Sequence, residues 1–181
     1  MNTIKDYILE FIYKNDLRDY ENKAIINELP KNKKEISILD AGCGSGLLLN
    51  QLYEAGFTNL HGFDLNPVNV DLATKNKNLK IKLDNVLNPN YEKDSFDIII
   101  CSHVLQIFNF NEAQKLFIEL GKILKPGGIL IICTLNDFKR FFKHPENCRP
   151  YPPDSIFRLI NNITSKVSAP LKDLDSDFPK Y

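Results

Sequence analysis

Residues 36–46 read Ile-Ser-Ile-Leu-Asp-Ala-Gly-Cys-Gly-Ser-Gly, an apolar run that ends in an acid and passes into a turn with glycine at every second position. Ile36, Ile38 and Leu39 suit a buried strand, and glycines at 42, 44 and 46 allow backbone angles and a close ligand approach that a Cβ forbids. Leu47, Leu48, Leu49 and Leu52 continue at helical spacing, so the turn becomes the start of a helix. Its unpaired N–H groups and positive dipole end favour a negatively charged group. A strand, a glycine turn and a helix in this order constrain the chain to an α/β fold with a ligand over the turn.

The spacing separates ligands. A dinucleotide fingerprint needs Gly-x-Gly-x-x-Gly, whereas Leu47 stands where its last glycine would fall, so NAD is disfavoured. Asp40-Ala-Gly-Cys-Gly-Ser-Gly46 resembles motif I of the class I S-adenosylmethionine-dependent methyltransferases, whose glycine turn passes under the methionine part of the cofactor. A second match lies downstream: Leu120-Gly-Lys-Ile-Leu-Lys-Pro-Gly-Gly128 is similar to that family's Leu-Lys-Pro-Gly-Gly turn before its fifth strand. The resemblance runs from Ile36 to Leu135 and implies a doubly wound, mostly parallel sheet of order 3-2-1-4-5. The family closes this sheet with a 7-6 hairpin. Here Pro170, Pro179, Asp173, Asp175 and Asp177 interrupt the terminal segment, so that edge is expected to be incomplete, abbreviated or covered by a partner or a second copy.

Length bounds the architecture: 181 residues suffice for one buried core and not for two full domains. The single domain divides into N-terminal helices over 1–30, a cofactor-binding core over 36–135, and an acceptor-side loop, short helix and edge over 136–181. Ile4, Tyr7, Ile8, Phe11 and Ile12 predict a helix over 4–14; Asn15-Asp16 breaks the pattern, and 17–29 resume it more weakly. Lys and Arg balance Asp and Glu at 23 each, which gives no chain-wide attraction for nucleic acid or an anionic membrane. No basic, apolar leader opens the sequence and no apolar run is long enough to span a bilayer, so a cytoplasmic protein is expected. Cys43, Cys101, Cys133 and Cys148 are widely spaced, without a Cys-x-x-Cys pair, and argue against zinc and a disulfide framework.

Candidate site residues follow along the chain. Leu60-His-Gly-Phe-Asp64 reads as a second strand ending in an acid about twenty residues after the turn, where a carboxylate takes ribose hydroxyls. Leu65 follows it, and Asn66-Pro67 opens the next helix as cap and first position. After the alternating strand Leu79–Leu83, Asp84, Asn85 and Val86 resemble the family's adenine-recognising segment. Phe96–Cys101 is nearly continuous in its apolar character, as a central parallel strand should be. Ser102 and His103 then emerge onto the ligand rim, and the string to Phe108 looks like the fourth motif of small-molecule members. It departs from the Asn/Asp-Pro-Pro-aromatic signature of base-amine methyltransferases.

These residues define the expected site. The resemblance implies S-adenosyl-L-methionine as the cofactor, held by Asp40, Gly42, Cys43, Gly44, Gly46, Asp64, Leu65, Asp84, Asn85, Val86 and Ser102. His103 is the candidate general base, with His144 and Asp137 as weaker candidates, and no metal is expected. The acceptor is expected to be a small molecule, methylated on an oxygen of a sugar or other metabolite. Two alternatives stay open: a non-catalytic adenosylmethionine-binding module or subunit, and an RNA methyltransferase contacting RNA through Lys139, Arg140, Lys143 and Arg149. The Phe-, Lys-, Arg- and Pro-rich stretch 136–153 suits a loop at the mouth of the site. Asn111 is read as the cap of a helix through Leu124, and Asp154 as the cap of a short helix carrying Ile156, Phe157, Leu159 and Ile160.

Overall fold

The computed structural model describes residues 20–134 and 147–164. Five strands, β1 (Ile38–Ala41), β2 (Leu60–Asp64), β3 (Lys80–Leu83), β4 (Phe96–Ser102) and β5 (Leu124–Cys133), form one sheet in the order β3-β2-β1-β4-β5. All four pairings are parallel. The helices are α1 (20–28), α2 (Leu47–Glu54), α3 (Pro67–Ala73), α4 (Phe110–Ile123) and α5 (Pro153–Thr164), with a single 3₁₀ turn at Leu105–Ile107. The expected order is therefore present. The sheet reverses its strand order between β1 and β4, and in such folds ligands bind outside the carboxyl ends of the strands at that point.

Because side chains alternate along a strand, each central strand feeds two apolar layers. Leu39, Ile99 and Cys101 face Ala113, Leu116 and Leu120 of α4 and Leu159 of α5. Ile38, Ile98 and Ile100 face Leu48, Leu49 and Leu52 of α2 and Ile25 and Leu29 from the α1 region. Each fully buried aliphatic side chain contributes roughly 1.5–3 kcal/mol relative to exposure. Rigid strands buried on both faces carry the loops of the candidate site.

Three expectations shift. Asn109, not Asn111, caps α4, because its side chain accepts the amides of Asn111 and Glu112 while Glu112 bonds back to the amide of Asn109. Pro153 opens α5, so Asp154 lies inside its first turn instead of capping it. Lys125–Gly128 is a bulge of β5: Leu124 pairs with Phe96 and Ile129 with Ile98, leaving four residues opposite Asp97 alone. The bulge is pinned where it leaves the ladder. Asp97 Oδ2 accepts from Lys125 Nζ at 2.9 Å, from the Ser37 amide at 2.8 Å and from Ser37 Oγ at 2.6 Å.

Among the described residues β5 pairs only with β4. The expected closing edge falls on 165–181, outside the described residues, as do the helix expected over 4–14 and most of the loop over 136–153. No helix among the described residues is long and apolar enough to cross a membrane.

Candidate active site

The glycine turn joins β1 to α2 at the carboxyl edge of the sheet. Gly42, Gly44 and Gly46 have φ of 87°, 53° and 80°, the left-handed region that side chains resist. At Gly42 a Cβ would also meet Val104 Cγ2 at 2.4 Å, so the loop leaving β4 lies directly on the turn. Above Gly44 nothing lies within 4 Å of the Cβ direction, which leaves open space over the middle of the turn. Gly46 caps α2 without a side-chain hydrogen bond, so the first amides of that helix have no side-chain cap.

Asp64 stands at the end of the neighbouring strand and is tied to that turn. Its Oδ2 accepts the Gly44 amide at 2.9 Å, and its Oδ1 accepts the Asn66 amide at 2.9 Å and Asn69 Nδ2 at 3.1 Å. Three of about four lone-pair sites are thus in use, leaving room for one more donor and for a second if the Asn69 amide yields. Leu65 beside it is 68% exposed, an apolar surface at the rim.

Asp40 and Cys43 line the inner wall of the turn. Asp40 is 3% exposed, and burial, followed by the charge of Asp64, pushes its carboxyl up to about 7. The Cys43 thiol is pushed up by burial, then by Asp40 and Asp64, and stays neutral. It packs beneath β2, with its Sγ 3.0 Å from where a Cβ on Gly62 would stand.

Along the β3 exit, Asp84 is committed to its own loop. It accepts the Asn85 amide at 2.8 Å, the Asn90 amide at 2.9 Å and Lys82 Nζ at 2.9 Å. Burial raises its carboxyl, but these bonds outweigh burial and hold it below the usual carboxylate range. Asn85 Oδ1 accepts the Leu87 amide, and Val86 is buried. Asp84 thus holds this loop in shape, with Asn85 Nδ2 and the Val86 amide as its remaining donors.

The β4 exit carries the polar groups on the other side. His103 has φ of 57°, and its amide donates to the Cys133 carbonyl at 2.8 Å, fixing the loop to the end of β5. Its ring Nε2 donates to Glu21 Oε2 at 2.7 Å. Burial, then the nearby Glu21 carboxylate, pushes the Cys133 thiol up to about 11, with a bond from Ser102 acting against them. Gln106 is 5% exposed, and its backbone carbonyl accepts the amides of Cys148 at 2.8 Å and Arg149 at 3.1 Å, which docks the described end of the 136–153 stretch.

The structure therefore brings together Gly42, Gly44, Gly46, Asp40, Cys43 and Asp64, and joins Ser102 and His103 to the turn through Val104. Lys139, Arg140, Lys143, His144 and Asp137 lie outside the described residues. Glu21 was not found from the sequence, because it lay in a weakly periodic helix with no motif. In the sequence Gln106 is only part of the string that leaves β4 for the ligand rim, with no role of its own. Among the described residues no cluster of His, Cys, Asp and Glu could hold a metal ion.

A twisted parallel sheet with a glycine turn after β1 and an acid at the end of β2 is the fold of the S-adenosylmethionine-dependent methyltransferases. The chain belongs to the methyltransferase domain family, which it matches over residues 13–162. It is 33% identical over 167 residues to the ubiquinone biosynthesis O-methyltransferase of Rickettsia bellii (strain OSU 85-389), covering 79% of this chain and 68% of that one. EEF1A lysine methyltransferase 2 of Danio rerio is 32% identical over 112 residues, 55% of this chain and 48% of that protein. The chain thus spans about half to two thirds of the length of these relatives. Its backbone superposes on a SAM-dependent methyltransferase from Archaeoglobus fulgidus with a TM-score of 0.70 at 17% identity, over 85% of this chain and 73% of that one.

Proposed function

We propose that this chain transfers the methyl group of S-adenosyl-L-methionine to a hydroxyl of a small-molecule acceptor. One observation carries the cofactor reading: Asp64 is hydrogen-bonded to the Gly44 amide beneath open space, beside the uncapped start of α2. These residues fit a nucleoside carrying an amino-acid tail. The uncapped first amides of α2 receive the tail carboxylate, Asp64 the ribose hydroxyls, Leu65 one face of the adenine, and Asn85 Nδ2 with the Val86 amide its edge.

When bound, the cofactor supplies a methyl group already activated on a sulfonium. The protein's task is then to hold the acceptor oxygen in line, worth on the order of 7–11 kcal/mol in a near-attack geometry. The rim over β4 and β5, with Ser102, His103 and Gln106, is the acceptor side. An oxygen acceptor is favoured because the O-methyltransferase relative matches 79% of this chain, against 55% for the lysine methyltransferase relative.

Calorimetry with S-adenosylhomocysteine tests the cofactor assignment: micromolar binding that NADH does not displace is expected, and NADH binding in its place overturns it. Transfer of labelled methyl to catechol, with none to RNA at physiological salt, tests the acceptor class, and the opposite preference overturns it.

A further inference from the structure

The contact between Glu21 and His103 spans 82 residues and joins an N-terminal helix to the exit of β4. Three features set it apart from a surface ion pair. The distance is 2.7 Å, the His103 side chain is only 23% exposed, and the imidazole sits on a loop whose next residue, Val104, presses on Gly42. The backbone of His103 is also held, in a left-handed conformation, by its bond to the Cys133 carbonyl. The ring is therefore fixed at both ends: by the chain at Cα and by the carboxylate at Nε2.

A carboxylate only accepts, so Nε2 carries the proton in this contact and the lone pair of the neutral ring lies on Nδ1. No described residue bonds to Nδ1. Glu21 from α1 faces the ring, and its carboxylate also reaches the Cys133 thiol at the end of β5, which burial and that charge hold up at about 11 and so keep protonated.

We propose that Glu21 is a positioning residue that holds His103 with Nδ1 toward the acceptor, making the pair the general base of the transfer. The inference rests on the methyltransferase reading above. As the acceptor oxygen bonds to the methyl carbon, the carbon–sulfur bond breaks with its electron pair left on sulfur, and the hydroxyl proton passes to Nδ1. One positive charge moves from sulfur to the imidazole, where the Glu21 carboxylate offsets it. The class of acceptor this suits is a neutral hydroxyl acidic enough to share its proton with an imidazole, that is a phenol or enol in preference to a sugar hydroxyl.

The test combines nuclear magnetic resonance with kinetics on the full chain. In the wild type a downfield, exchange-protected proton should correlate with His103 Nε2, and it should vanish in Glu21→Ala. With catechol as acceptor, Glu21→Ala should lower kcat about tenfold to a hundredfold, leaving KM and S-adenosylhomocysteine affinity within about twofold. Glu21→Asp should restore part of the loss, which separates a charge-and-orientation role from mere packing of α1. Absence of the protected Nε2 proton in the wild type, or a wild-type kcat in Glu21→Ala, overturns the proposal. Failure of the wild type to bind S-adenosylhomocysteine would instead defeat the cofactor reading, with the imidazole spectrum still deciding whether the pair exists.

Discussion

The amide of Gly44 donates to Oδ2 of Asp64 at 2.9 Å, across 20 residues of sequence. The acid at the end of β2 therefore holds the glycine turn in shape as well as facing the rim. Asp64→Ala is expected to weaken S-adenosylhomocysteine binding about tenfold to a hundredfold, roughly 1.4–2.7 kcal/mol. Unlike a purely ligand-facing carboxylate, it should also lose about 1–3 kcal/mol of stability, because three donors are left unmatched. Asp64→Asn should not rescue fully, since its NH₂ would confront N–H groups that a carboxylate accepts. Calorimetry paired with thermal melts checks both effects, and a variant with an unchanged melting temperature contradicts the structural half.

The packing of Val104 on Gly42 makes a separable prediction. Gly42→Ala incurs about 1–2 kcal/mol for a left-handed backbone, plus overlap with Val104 Cγ2 at 2.4 Å. Adding Val104→Ala should relieve the overlap and leave the backbone strain. The double variant is therefore expected to be more stable than the sum of the two singles implies. Strictly additive unfolding free energies would show that the loop leaving β4 does not rest on the turn.

At the amino end of the sheet, Asp97 joins Ser37 on the approach to β1 with Lys125 in the β5 bulge. Burial raises its carboxyl, but the bonds from Ser37 and Lys125 outweigh burial and hold it at about 2. A depressed native value means the unfolded chain binds more protons between about pH 4 and pH 2, so this stabilisation is full above about pH 4 and is lost on acidification. Asp97→Asn should melt below the wild type at pH 7, with the gap closing as pH falls through that window. A gap independent of pH would place the effect in shape and not in charge.

The core was legible because its signals are local. Ile98 and Ile99 point to opposite layers by strand periodicity, Asn66-Pro67 caps a helix where the dipeptide stands, and the turn glycines recur at every second position. What was missed depends on distance. Lys125-Pro126-Gly127-Gly128 reads as a simple turn until Asp97 and Ser37 are seen to pin it as a bulge. Two asparagines compete to cap α4, and the capping box with Glu112 decides for Asn109. At the site, the exit positions of Asp64 and His103 followed from strand ends, but the partners that give them their chemistry did not. Glu21 reaches His103 from a helix with only weak periodicity, and Asp84 turns inward to Lys82 and Asn90. Tertiary pairing of polar groups has no period to read.

Asp40 gives the last prediction. It sits at the end of β1 with 3% exposure, and burial, followed by Asp64, raises its carboxyl to about 7. An acid whose native value lies above its unfolded one binds more protons when folded, so stability falls as pH rises from about 4 to about 7 and is flat beyond. Asp40→Asn keeps the shape and removes the charge. It should melt above the ligand-free wild type by a margin that grows across that window, on the order of 1–3 kcal/mol at pH 8. The second cause can be removed independently: in an Asp64→Ala background the wild-type Asp40 should ionise at lower pH, and the window should narrow from its upper end. Thermal melts of the four proteins from pH 4 to pH 9 decide the matter. A margin that is the same at pH 4.5 and pH 8 would mean that the Asp40 carboxyl is already ionised at the acid end, and that the pocket behind the glycine turn is wetter than its burial indicates.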